Sequence, residues 1–252
     1  MNTHVRHCSA GTAAQLASLI ATPEINLLVL ASASEGICEG LSAAQNLLAP
    51  GFQFWAINQP LETISARLAS SLLSLGPLDE ELRADLFRDL NCLLASFTIY
   101  ANCLRPFVSL RCVDADYLRA NKDSVSACFH RDSTVLTLTK TYLGTGSQWV
   151  ENHNVKREYF ASHWKAPLAV PLSTFLYKPE QIHTLATGAV ALLKGEFNCL
   201  TADDETKEFL TNFLPPAAKL VVNQGAGLIH RGPPLGLSER RLVLNISSFN
   251  AL

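Results

Sequence analysis

The sequence predicts an α+β chain: a mostly helical region over residues 1–105 packed on an all-β sandwich or barrel over residues 106–252, the two forming one compact unit. Three observations predict it. Up to Tyr100 the longer apolar patterns recur at helical spacing. After Pro106 the texture changes to short runs of valine, leucine and threonine separated by Gly, Pro and Asn, with room for about eight strands in two sheets. No internal repeat, low-complexity tract or flexible linker separates the two halves. Hydrophobic residues make up 48% of the 252 positions against 17% charged, which is ample for a core.

The elements follow in order. "SAGTAAQLASLIA", residues 9–21, carries leucine and isoleucine at helical spacing and stops at Thr22 and Pro23, because the residue before a proline is disfavoured in helix. "INLLVLAS", residues 25–32, is short, apolar and flanked by polar residues, as a buried strand is, and "FQFWAIN", residues 52–58, reads likewise. A helix is expected over "LETISARLASSLLSL", residues 61–75, and a longer one over residues 79–102. The longer one has acidic residues in its first turn, where they suit the helix dipole, and a stripe of Leu82, Leu86, Leu90 and Leu93. Strands are then expected in "FVSLRCVDADY", "STVLTLTKTYL", "GAVALLKGE", "AKLVVNQGAGLIH" and "RRLVLNISSF". Between the third and fourth of these lies "EFNCLTADDETKEFLTNFLPPAAK", residues 196–219, whose middle reads as an inserted helix able to form a lid or substrate wall.

Several functions are excluded or disfavoured. A net charge of −2 and the absence of a basic tail or cluster argue against nucleic-acid binding. No apolar run reaches the roughly 18 to 20 residues of a membrane helix. The Ala-x-Ala pattern after "INLLVL" superficially resembles a signal-peptide cleavage region, but Pro23 and Glu24 directly before it and a long, poorly basic leader argue against secretion. The seven cysteines (8, 38, 92, 103, 112, 128 and 199) form no CxxC pair or disulfide framework and are read as reduced, so a cytoplasmic location is expected. "GTGSQW" and "GAGLIH" lack the third glycine of a dinucleotide-binding loop, and no G-x-S-x-G, Walker or H-E-x-x-H motif is present.

The chemistry-bearing residues sit in the β half. "CFHRDSTVLTLTK" places His130 and Asp132 two positions apart at the mouth of a strand, where side chains spaced by two point the same way. Asp before a strand also serves as a turn residue bonding backbone amides, so the pair alone does not distinguish a metal site from a turn. A third group, His230 in "GLIHRGPP", could complete a metal site, and Arg240 and Arg241 open the last strand. Arg241 shares strand parity with Val243, Asn245 and Ser247, a more polar set than the Leu242, Leu244 and Ile246 that share parity with Arg240. Lys140 and Tyr142 share one face of the earlier strand. His4, His7, His153, His163 and His183 have no such context and are read as surface or hydrogen-bonded; Trp149 and Trp164 are read as core or pocket wall, and Cys128 as a small buried hydrophobe.

The order His-x-Asp, long gap, His, then Arg on the next strand resembles that of the iron(II)- and 2-oxoglutarate-dependent oxygenases, whose fold is a double-stranded β-helix. "TYLGTGSQW" looks like the strand and turn after the His-x-Asp motif, and "TGAVALLKGE" like the strand preceding the distal histidine; the resemblance implies a bacterial subfamily. The resemblance covers residues 106–252 and implies a jelly-roll, cupin-like core. It implies that His130, Asp132 and His230 hold Fe(II) and are the catalytic centre, leaving three positions for 2-oxoglutarate and dioxygen. It further implies that Arg241 (or Arg240) binds the distal carboxylate of 2-oxoglutarate through its planar fork, with Tyr142 and Lys140 within reach of the keto acid. The implied activity is a dioxygenase, in particular a hydroxylase, acting on a small-molecule or peptide substrate. The alternative keeps the fold without oxidation: a cupin-like zinc-binding protein in metal homeostasis or sensing, since imidazole and carboxylate accept both metals. One departure stands out: residues 196–229 intervene between Gly195 and His230, where the family has a short connection.

Overall fold

Helices, a seven-stranded sheet and a smaller five-stranded sheet stack in layers. The computed structural model describes residues 5–8, 13–30, 34–120, 127–198, 221–236 and 239–249. In chain order the elements are β1 (Val5–Cys8), α1 (Ala13–Ala21), β2 (Leu27–Leu30), α2 (Glu35–Ala43), β3 (Gln53–Ala56), α3 (Leu61–Leu72), α4 (Glu80–Tyr100), β4 (Phe107–Asp114), α5 (Ala115–Ala120), β5 (Phe129–His130), β6 (Leu136–Leu143) and β7 (Gln148–Val150). There follow two short helices, Arg157–Ser162 and Leu172–Phe175, on either side of β8 (Lys165–Ala166), and then β9 (His183–Thr184), β10 (Val190–Lys194), β11 (Phe197–Asn198), β12 (Val221–Val222), β13 (Ile229–Arg231) and β14 (Arg240–Ser248). No helix among the described residues is long and apolar enough to cross a membrane.

The large sheet has the order β1-β2-β10-β6-β14-β4-β3 and the small one β8-β5-β13-β7-β9; β1 and β2 are parallel and the other pairs antiparallel. Both edges of the large sheet therefore come from the first hundred residues, which supply strands as well as the helices that cover it. β2 and β3 fall inside the two apolar runs expected to be strands.

Period-2 alternation decides which side of the large sheet meets which layer. One side presents Leu28, Phe54, Leu110, Leu138, Leu192 and Leu244 to the helices, which answer with Leu16, Leu41, Leu68, Leu90 and Phe97. α4 is started by Asp79, whose carboxylate accepts the N–H groups of Glu81 and Leu82. Its buried face is Leu86, Leu90, Leu94 and Phe97, with Leu82 and Leu93 only partly buried, so the expected leucine stripe is rotated slightly about the axis. α2 was not legible in the sequence: it contains Gly36 and Gly40 and, among its nine residues, buries only Leu41. Gly40 has a packing reason, since a Cβ there would lie 2.8 Å from Leu82 Cδ1 of α4.

The opposite side of the large sheet faces the small sheet. At one end Leu27, Ala191 and Leu193 pack on Trp149, Leu185 and Leu228. The outer face of the small sheet (Phe129, Val150, Ala166, Ile229) is covered by Phe160, Phe175 and Leu176 from the connection between β7 and β9. β11 and β12 pair Phe197 with Val222 and Asn198 with Val221, so the chain leaves and re-enters at one place. Residues 199–220, including the helix and lid expected there, lie outside the described residues.

Candidate metal centre

β13 runs between β5 and β7, and its register sets His230 directly opposite His130 on one side and Trp149 on the other. Directly opposed residues point to the same side of a sheet, here the interior. The two imidazoles lie 4.5 Å apart between ring centroids. β5 ends at His130, so Asp132 reaches the same point from the loop rather than from the strand. That loop is held by backbone bonds, from Arg131 N–H to Trp164 O (3.2 Å) and from Glu196 N–H to Asp132 O (2.9 Å). The result is that Asp132 Oδ1 stands 3.6 Å from Nε2 of both His130 and His230. One ligand atom from each of the three residues lies within 4.8 Å of the others, and this is the one such convergence of His, Cys, Asp or Glu side chains among the described residues.

The donor chemistry fits a divalent cation. His130 Nδ1 donates to Cys128 O at 2.8 Å and His230 Nδ1 to Leu228 O at 3.3 Å. A carbonyl can only accept, so both rings carry a proton on Nδ1, and the Nε2 lone pairs are what the rings offer inward. Burial pushes the His230 imidazole down to about 4, against the pull of Asp132, and keeps the ring neutral at neutral pH. Burial alone would raise the Asp132 carboxyl. The facing His230, followed by His130 and a hydrogen bond from Thr137, outweighs it and holds the acid well below the usual carboxylate range. Two imidazoles and one anion on one side of a shared point is the donor set of a site with open coordination positions.

From Asp132 a polar strip runs along the interior face of β6 and β14. Thr137 Oγ1 is 3.0 Å from Ser247 Oγ. Thr139 Oγ1 is buried and has no hydrogen-bond partner among the described residues, a costly arrangement that an oxygen-bearing ligand would relieve. Thr141 and Ser147 hydroxyls then accept from Arg241 Nη2 at 3.2 and 2.9 Å, and Arg241 Nε donates to Thr145 O at 3.0 Å. Arg241 is 4% exposed and shares a cavity with Arg111, Val113, Leu118 and Pro233. Burial, then the neighbouring Arg111, lowers it to about 10, which still leaves it a cation at neutral pH. Arg240 points the other way and donates to the carbonyls of Gln45 and Leu48 at 2.7 and 2.6 Å. These residues can hold an acidic, oxygen-rich cosubstrate between the metal ligands and Arg241.

Lys140 and Tyr142 do not join them, which corrects the expectation that they reach the keto acid. They share parity with Leu136 and Leu138, whose side chains face the helices. Lys140 Nζ and the Tyr142 hydroxyl both donate to Asp89 Oδ2 on α4, at 2.7 and 2.5 Å. A bulge in β6 opposite Leu242/Val243 brings Tyr142 and Leu143 together on that helical side. The inward polar set is instead Thr137, Thr139 and Thr141, and its signal was the threonine alternation of "TLTKT". Glu196, Arg131 and Arg157, which brace the site, carried no such signal. His153 and His183 both pair with Glu151 on the surface, and His163 stacks on Tyr159. His4 and the side chain of His7 lie outside the described residues. Trp149 is buried beside His230, whereas Trp164 is 42% exposed. Cys128 is buried, and it, Cys38, Cys92, Cys103 and Cys112 are free thiols.

Comparison with solved structures finds the same architecture elsewhere. Dioxygenase for auxin oxidation 1 from Arabidopsis thaliana, in its 2-oxoglutarate complex, superposes with a TM-score of 0.50 at 9% identity, covering 99% of this chain and 94% of that one. The rice dioxygenase for auxin oxidation gives 0.47 at 11% identity, covering 98% and 83%. At such identities the likeness is one of fold alone, shared with the Arabidopsis dioxygenase. No curated protein matches the chain in sequence at a significant level. A family model does, over residues 12–246, and the chain accordingly belongs to the family described as "Protein of unknown function (DUF1826)".

Proposed function

We propose that the protein is an iron(II)- and 2-oxoglutarate-dependent oxygenase, a hydroxylase of a small molecule or peptide, built on a double-stranded β-helix core. The observation that carries this reading is the convergence of His130 Nε2, His230 Nε2 and Asp132 Oδ1, with both Nδ1 protons fixed by backbone carbonyls. His130, Asp132 and His230 would hold the metal. Arg241 would receive the distal carboxylate of 2-oxoglutarate, and the Thr139 hydroxyl would donate to an oxygen along its length. When bound, the metal would supply the means to activate dioxygen, which is the oxidant, while the keto acid gives up two electrons and leaves as succinate and carbon dioxide; the protein supplies orientation. Burial of His230, and of Trp149 and Leu228 beside it, would limit the access of water to the metal side, with His130 and Asp132 partly exposed.

The test is anaerobic addition of Fe(II) and 2-oxoglutarate to the purified apoprotein. The expected result is a visible charge-transfer band of the chelate, followed by succinate release when oxygen is admitted. Tight binding of Zn(II) with neither band nor succinate would instead support the cupin-like zinc protein.

A further inference from the structure

The three ligands come from two segments far apart in the chain, and a single buried carboxylate touches the supports of both. Glu196, 7% exposed, follows Gly195 at the end of β10. Its backbone N–H bonds Asp132 O, and its Oε1 accepts a short ion-pair bond from Nη1 of Arg131, the residue between the two ligands of the first segment. Its Oε2 accepts from Arg157 Nη1 at 3.4 Å. Arg157 in turn donates through Nη2 to Gly227 O at 2.6 Å and to the Asn152 side chain. Gly227 precedes Leu228, whose carbonyl takes the Nδ1 proton of His230. The backbones are in close contact as well: a Cβ on Gly227 would lie 2.5 Å from Glu196 Cβ, and one on Gly195 would lie 1.9 Å from Thr134 O.

We propose that Glu196 is a positioning residue of the metal centre: through Arg131 it aligns the His130–Asp132 loop, and through Arg157 it aligns the strand carrying His230. The inference rests on the metal reading above. A purely structural ion pair would lock one segment. Here each carboxylate oxygen goes to a different arginine, and each arginine leads to a different ligand segment. The same node accounts for how residues 196–229 can intervene without spoiling the site, since Glu196 and Gly227 meet where the excursion leaves and returns.

Co(II), added to the full-length protein, is the probe. Glu196→Gln preserves shape and removes the charge that orients the two arginines, and loss of an outer-shell partner lowers metal affinity by about 10- to 100-fold. A loss of that size is expected, together with a changed ligand-field spectrum of bound Co(II), while Glu196→Asp restores part of both. If Glu196→Gln does not fold, Arg157→Lys keeps a cation beside Glu196 but cannot also reach Gly227, and it is expected to weaken and distort the site in the same way. Wild-type affinity and spectrum in whichever of these variants folds would overturn the proposal. Failure of the wild-type protein to bind Co(II) at all would defeat the metal reading itself.

Discussion

His130 and His230 are cross-strand partners on β5 and β13, and their Nε2 atoms are equidistant, at 3.6 Å, from one oxygen of Asp132. Sheet register, rather than loop conformation, therefore sets the spacing of two of the three ligands. His230→Ala and Asp132→Ala should each weaken Co(II) or Fe(II) binding by more than the ~10- to 100-fold that an outer-shell loss costs. Isothermal titration would check this, and a retained thermal transition would show that the fold survives.

The adjacent arginines of β14 are expected to separate cleanly. Arg241→Ala should abolish the 2-oxoglutarate chelate band at cosubstrate concentrations that saturate the wild type, because Arg241 is the cation that the Thr141 and Ser147 hydroxyls hold in place. Arg240→Ala should leave the band intact and lower the melting temperature, because it frees the carbonyls of Gln45 and Leu48 from a charged donor. Equal effects on the band would contradict the parity assignment.

Asp89→Ala removes the carboxylate that both Lys140 and Tyr142 address from beneath α4. Lys140 is fully buried, so breaking this pair is expected to cost about 3 to 5 kcal/mol in urea unfolding. Tyr142→Phe, which loses one bond to a charged acceptor, should cost roughly 1.5 to 3 kcal/mol. Tyr142→Phe should leave the affinity for 2-oxoglutarate unchanged, whereas a tyrosine at the keto acid would lower it.

Gly195→Ala brings a methyl group 1.9 Å from Thr134 O and 2.8 Å from Asp132 O, both rigid backbone atoms. The displacement falls on the ligand loop, so a loss of about 1 to 3 kcal/mol or more in stability should be accompanied by weakened Co(II) binding. Gly36→Ala, where nothing lies within 4 Å, is the matched control and should raise stability slightly through helix propensity.

Much of this was legible locally. The helix over residues 61–75 and the one over residues 79–102 announced themselves by period and capping, and β6, β10 and β14 by runs of β-branched and apolar residues between breakers. Strand parity distinguished Arg241 from Arg240. The same parity, applied to Lys140 and Tyr142, was ambiguous, because alternation says which residues share a face but not which layer that face meets. α2 stayed hidden because two glycines and a single buried leucine give no period to read.

The sequence by itself determined the pairing of His130 with Asp132 and the division of β6 into a threonine side and an apolar side, because both follow from local chemistry and a two-residue repeat. Only the tertiary structure decided that His230 stands beside His130, that Lys140 and Tyr142 serve α4 through Asp89, and that Glu196 joins Arg131 to Arg157. Those are contacts between segments far apart in the chain. They are set by strand pairing and by the need of each buried charge for a partner, and no local pattern encodes which partner folding will deliver.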